Sequence, residues 1–164
     1  MTILEVCEWL ESTALAVLVR ESPYGFPILV GIHILGLILS VGMLLWVDLR
    51  LLGVSLRGAR VSEVYRGLSP WFLCGFVVMF VSGAMLFTGF ATQAYGNVYF
   101  RIKVAALLLA GVNALIFHVM TQRTSPAWDA APRPRLSARL AGLGSIVLWA
   151  VVILAGRMIS YTMF

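Results

Sequence analysis

Charge is sparse in this sequence. Its 164 residues include 12 lysines and arginines and 7 aspartates and glutamates, against 61% hydrophobic residues. A water-soluble domain of that length cannot bury so much apolar surface, because surface-to-volume scaling leaves over half of its exterior exposed. Cysteine is scarce as well. Cys7 and Cys74 are the only two, which suggests neither a disulfide framework nor a cysteine-based zinc site. No Walker loop, nucleophile elbow or His-Glu-x-x-His pattern occurs, and the length leaves no room for a separate soluble catalytic unit.

Long apolar runs take the place of these features, and the mean hydropathy is +0.97. Four runs approach or exceed the roughly 20 residues that cross about 30 Å of hydrocarbon. They are Phe26 to Val47, Trp71 to Phe90, Ile102 to Met120 and Leu140 to Thr162. Lipid offers the backbone no hydrogen-bond partners, so helices are the economical way across. None of the runs alternates polar and apolar residues as a barrel strand does. Ser69 reads as an N-cap for the second run, with Pro70 at the first helical position. Ala106, Ala110 and Ala114 in the third run, and Gly142 and Ser145 in the fourth, are small enough for close helix approach.

The expected fold is therefore all-α, a single integral membrane domain over residues 1–164. Short connections favour antiparallel neighbours and an up-down four-helix bundle. Its spans are expected at about 26–48, 70–90, 101–120 and 139–162, with a proline-bearing linker at about 121–136 (Pro126, Pro132, Pro134). Before the first span, Ile3, Cys7, Leu10, Ala14, Val17 and Leu18 recur at helical spacing, with Glu5, Glu8 and Ser12 on another face. That pattern predicts an amphipathic interfacial helix at about 3–20. It does not read as a convincing signal peptide, because its first charges are acidic and the n-region lacks lysine and arginine. Ser22 to Pro27 then breaks the chain and turns it into the bilayer.

Arginine sets the direction. Arg50, Arg57, Arg60 and Arg66 lie between the first two spans, and Arg123, Arg133, Arg135 and Arg139 between the last two. Only Arg20, Arg101 and Lys103 lie on the opposite side. Positive-inside bias puts both basic loops in the cytoplasm and both termini on the opposite side, the periplasm if the host is Gram-negative. The net charge of +5 is thus a topogenic signal and does not point to nucleic acid.

Titratable groups at membrane depth are functional candidates by default. At about 1.5 Å of rise per residue, His33 lies about 10 Å and Arg157 about 8 Å below the outer edge of the hydrocarbon. Lys103 is just inside the same edge, so His33, Lys103 and Arg157 form one outer layer. His33 shares a stripe with Gly36 and Ser40, which predicts that it faces the bundle interior. His118 lies about 24 Å down and joins a second, cytoplasmic layer with Asp48 and Arg139. Asp48 is expected in an interfacial ion pair with Arg50 or Arg139. The two histidines differ in depth by about 14 Å, so they do not sit as two axial ligands of one haem.

The run His33-Ile-Leu-Gly36, then Asp48-Leu-Arg-Leu-Leu-Gly53, then Leu68-Ser-Pro-Trp71, carries a resemblance. So do Ser82 to Phe87, Phe100-Arg-Ile-Lys103, Asn113 to His118, Trp149, Gly156-Arg157 and Tyr161. Together they resemble an uncharacterised family of small bacterial four-span inner-membrane proteins, over nearly the whole chain. The resemblance implies the same four-span architecture and a complete member of the family; it supplies no activity.

The functional reading is a non-enzymatic integral membrane protein, an accessory or small-ligand-binding bundle. Its candidate site lies between His33, Lys103 and Arg157. A protonated His33 beside two cations is costly, so a neutral imidazole or an anionic partner is expected there. A carboxylate-bearing ligand, a quinone or a haem propionate meets that need. One alternative is a haem b-binding electron-transfer subunit using His33, alone or with Met85 or Met158. The other is a metal or proton transporter using both layers in series, with His33 or His118 as the ligand of any metal. The expected partners are the lipid bilayer and a membrane or periplasmic protein.

Overall fold

The structure, a computed structural model, describes residues 2–122, 129, 131 and 134–163. Arg123, Pro126, Pro132 and Arg133 of the expected linker lie outside the described residues. The described chain is all helix with no strand: α1 (Ile3–Glu11), α2 (Ala14–Glu21), α3 (Gly25–Leu52), α4 (Val61–Gly89), α5 (Ala91–Gly96), α6 (Val98–Gln122) and α7 (Leu136–Met163).

Four of these, α3, α4, α6 and α7, are long and apolar enough to cross a membrane. Their outward faces are as apolar as their inner ones: Leu35, Leu108 and Leu154 are 67%, 68% and 65% exposed. Such surface is stable against hydrocarbon and unstable against water. Both chain termini, the α4–α5–α6 connection and α1–α2 gather at one end of the four helices, here the terminal end. The α3–α4 and α6–α7 connections make the other, the loop end.

Two departures from expectation concern helix starts. The N-terminal segment is two helices. Thr2 and Glu5 form a reciprocal capping box that starts α1, with Thr2 N donating to Glu5 Oε2 at 2.9 Å. Thr13 then adopts extended backbone and accepts from Ala16 N at 3.3 Å, which ends one helix and caps the next. Serine and threonine compete with the helical backbone in this way.

The second departure is α4, which starts at Val61 and carries Pro70 in its interior, so Ser69 is not its N-cap. Proline removes the N–H that would bond the Arg66 carbonyl. The Ser69 hydroxyl donates to that carbonyl instead, at 3.4 Å. The early start has a remote cause. Asp129, from the α6–α7 connection, accepts from Ser62 N at 2.8 Å and Ser62 Oγ at 2.6 Å, and its carbonyl accepts from Val61 N at 3.1 Å.

Small residues set the helix crossings. A Cβ on Gly75 would stand 2.5 Å from Ser40 N and 2.9 Å from Gly36 O, so α3 and α4 touch backbone to backbone. Gly142 does the same for α7 against α3, with the Asp48 carbonyl 3.0 Å from where its Cβ would be. Ala106 and Ala110 of α6 are buried with Trp149 and Val152 of α7, as their spacing predicts. Ala114 instead is exposed. The four helices run α4, α3, α7, α6 across the molecule, and α4 and α6 do not pack directly on each other. Side chains alone bridge that flank, as where Phe87 and Phe100 stack at 5.3 Å.

At the terminal end α1 and α2 fold back over the bundle. Ala16 and Val19 are buried, Val19 against Gly89 of α4. Glu11 accepts from both the backbone N (2.7 Å) and the hydroxyl (2.6 Å) of Thr92, tying α1 to the start of α5.

Candidate functional site

Two polar regions lie within the helices, one toward each end. Near the terminal end, His33 of α3 is half-buried, and its Nδ1 lies 3.1 Å from Ser82 Oγ of α4. The Ser82 hydroxyl donates its single hydrogen to the Val78 carbonyl at 2.6 Å. It therefore accepts from His33, which assigns the ring proton to Nδ1 and leaves Nε2 as the acceptor nitrogen. Gly83 leaves room for the ring: a Cβ there would stand 3.0 Å from His33 Cε1.

Lys103 of α6 is half-buried. Its ammonium lies over Gly156 of α7, where a Cβ would come within 3.7 Å of Nζ. Among the described residues no hydrogen bond or ion pair reaches that ammonium. Arg157 faces the other way. It is exposed, its Nη2 donates to Tyr161 OH at 3.0 Å, and its guanidinium lies 4.8 Å over the Tyr161 ring. Of the three outer-layer candidates, His33 and Lys103 are half-buried, against Gly83 and Gly156 respectively, and Arg157 is turned outward. Gly83 and Gly156 leave the space that the His33 and Lys103 side chains occupy.

Toward the loop end, Asp48 is buried and its Oδ2 accepts from Ser145 Oγ of α7 at 2.6 Å. The expected ion pair is replaced by this neutral donor. Arg50, fully buried, is spent elsewhere: Nε donates to Ala59 O at 2.8 Å and Nη2 to Ala131 O at 3.0 Å. It pins both loops to the end of α3, and its Nη1 finds no acceptor among the described residues. Arg139 is exposed. His118 is exposed too, on the rim of a cavity that Asp48 also lines. The second layer thus brings Asp48 and His118 to one cavity and leaves Arg139 on the surface.

Asp129 lies outside the spans and was missed by sequence reading. Burial alone would raise its carboxyl. The hydrogen bonds from Ser62 and the nearby Arg60 and Arg50 outweigh that and hold it below the usual carboxylate range. Ser82, Ser145 and Asn113, which donates from Nδ2 to Ala141 O at 2.9 Å, are further cross-helix polar groups. Only their polarity inside apolar runs could have marked them. Among the described residues, no three histidine, cysteine, aspartate and glutamate side chains gather as a metal centre would require.

Four membrane-length helices, lipid-apolar on the outside and with polar groups paired across helices inside, define a multi-pass integral membrane protein. A family model described as a family of unknown function, DUF6644, matches residues 7–162. The chain belongs to that family. No curated protein and no solved structure matches the chain.

Proposed function

We propose that the protein is a non-enzymatic small-ligand-binding bundle of the bacterial inner membrane. In this reading both termini are periplasmic, and the ligand is a carboxylate-bearing amphiphile held in the outer half. His33 and Lys103 form the site, with Arg157 on its outer rim. The observation that carries the reading is the Lys103 ammonium, half-buried among apolar helices and without an anion among the described residues. A cation at that depth is costly unless an anion accompanies it. His33, fixed through Nδ1 by Ser82, presents Nε2 as a second polar contact. The exposed apolar side chains of α1 and α2, Ile3, Trp9 and Leu18, suit the membrane interface just outside the same layer.

Titration of dodecanoate into the full chain in phosphatidylcholine nanodiscs tests the proposal. Saturable binding is expected, weakened at least tenfold in Lys103→Gln and insensitive to replacing Arg123. Binding of dodecanol as tight as that of dodecanoate, or unchanged affinity in Lys103→Gln, sinks the proposal.

A haem reading has one specific support, the Nε2 that the Ser82 hydrogen bond leaves as acceptor. It predicts a Soret band in the purified protein that disappears in His33→Ala.

A further inference from the structure

At the loop end, away from the His33–Lys103 layer, α4 and α6 enclose a cavity of about 590 Å³ where they fail to pack directly. That is within the range of sites for small organic ligands. Its wall is mostly aromatic and aliphatic, with Phe72, Phe76, Phe80, Phe117, Leu107 and Trp149 in it. Leu73 and Phe80 of α4 and Gly111 and Ala114 of α6 line it and are themselves exposed, so the gap between the two helices is open on its outer side.

One buried group breaks the apolar wall. Asp48 lines the cavity at 4% exposure, and among the described residues its carboxylate receives only the Ser145 hydroxyl. Among the described residues no cation pairs with it. Arg50, two residues on, is turned away to the Ala59 and Ala131 carbonyls. The other charged and titratable groups that line the cavity are Tyr65, Arg66, His118 and Asp129. Arg66 Nε donates to the Ser62 carbonyl at 3.3 Å, and Asp129 caps α4 through Ser62. Neither is committed to Asp48.

We propose that this cavity binds a small lipophilic organic cation, with its positive centre toward Asp48 and its apolar body among Phe76, Phe80 and Trp149. Three observations carry this. The carboxylate is buried without a countercharge, which a cationic ligand supplies at low local dielectric. The aromatic faces favour a desolvated cation over a neutral or anionic one. The flank between α4 and α6 gives an entry path for a ligand that partitions into the bilayer.

The probe is tetraphenylphosphonium, titrated calorimetrically into the full chain in phosphatidylcholine nanodiscs with empty discs subtracted. Triphenylphosphine oxide serves as its neutral counterpart. Saturable phosphonium binding is expected, with preference over the oxide. D48N should weaken the phosphonium at least tenfold and the oxide less than twofold, and D48E should restore most of the loss. The amide oxygen of D48N still accepts from Ser145, so the helix contact survives. A second variant blocks the space instead of the charge. A Cβ at Gly111 meets nothing within 4 Å, so G111F projects a ring toward the cavity and should abolish binding of both probes. Absence of saturable phosphonium binding overturns the proposal, as does phosphonium affinity within twofold of wild type in D48N. So does equal weakening of both probes by D48N, which would leave an apolar groove filled by lipid chains and blind to charge.

Discussion

Two carboxylates, Glu11 and Asp129, act as caps for helices more than sixty residues away in sequence. Each accepts from a backbone N–H and a hydroxyl of one residue, Thr92 and Ser62 respectively. Orphan N–H groups at a helix start need acceptors, and the helix dipole favours negative charge there. Asp129→Ala should therefore destabilise the protein by about 0.5–2 kcal/mol, the usual cost of a lost N-cap. The pH dependence has a definite sign. A carboxyl held below its ordinary value when folded contributes fully above that ordinary value, and the contribution is lost as pH falls through the folded one. The gap in thermal midpoint between wild type and Asp129→Ala should stay constant from pH 8 to 5 and narrow only in more acidic solution. A gap that closes between pH 7 and 6 would contradict this account.

At the scale of elements, the crossing of α3 and α4 depends on glycine having no side chain. The Gly75 site would place a methyl group 2.5 Å from the Ser40 nitrogen, and main chain cannot yield as a flexible side chain can. Gly75→Ala should cost about 1–3 kcal/mol or more, as overpacking does, and should lower the yield of folded protein. Gly31 lies on the same helix pair with nothing within 4 Å of an added Cβ. Gly31→Ala should be neutral or stabilising by up to about 1 kcal/mol, since alanine is the better helix former. Thermal unfolding of both variants in detergent separates a contact-specific effect from a general intolerance of alanine. The same scale explains Pro70. The Ser69 hydroxyl reaches the carbonyl that proline leaves unbonded, and α4 continues through it.

For the molecule as a whole, the proposed orientation predicts opposite labelling of its two ends. Gly58, in the α3–α4 loop, and Gln93, in α5, are both exposed. In a background lacking Cys7 and Cys74, an impermeant maleimide should label Gln93→Cys from outside intact spheroplasts. Gly58→Cys should react only after the membrane is opened. The reverse pattern would invert the topology and place the His33–Lys103 layer on the cytoplasmic side. The open flank between α4 and α6 also belongs to this scale, because it follows from the order of all four helices and from no single pair.

The four spans were legible in the sequence because crossing hydrocarbon imposes one demand on about 20 consecutive residues at once. The separation of His33 from His118 was legible for a related reason, since helical rise turns sequence distance into depth. Depth says nothing about azimuth. Lys103 and Arg157 share a layer, yet one is half-buried over Gly156 and the other stacks outward on Tyr161. Which way each turns depends on the rotation of its helix, set by glycines that make sense only when the neighbouring helix is in place. Caps such as Asp129 on α4 were invisible for the same reason, because the residue and the N–H groups it satisfies meet only after both hairpins have folded. Composition and apolar run length by themselves determined that this is an all-helical membrane protein. Only the tertiary structure decided that Asp48 meets a serine and not an arginine, and that a cavity opens between α4 and α6. Hydrophobic length is a property of one segment, whereas contact between side chains is a property of two.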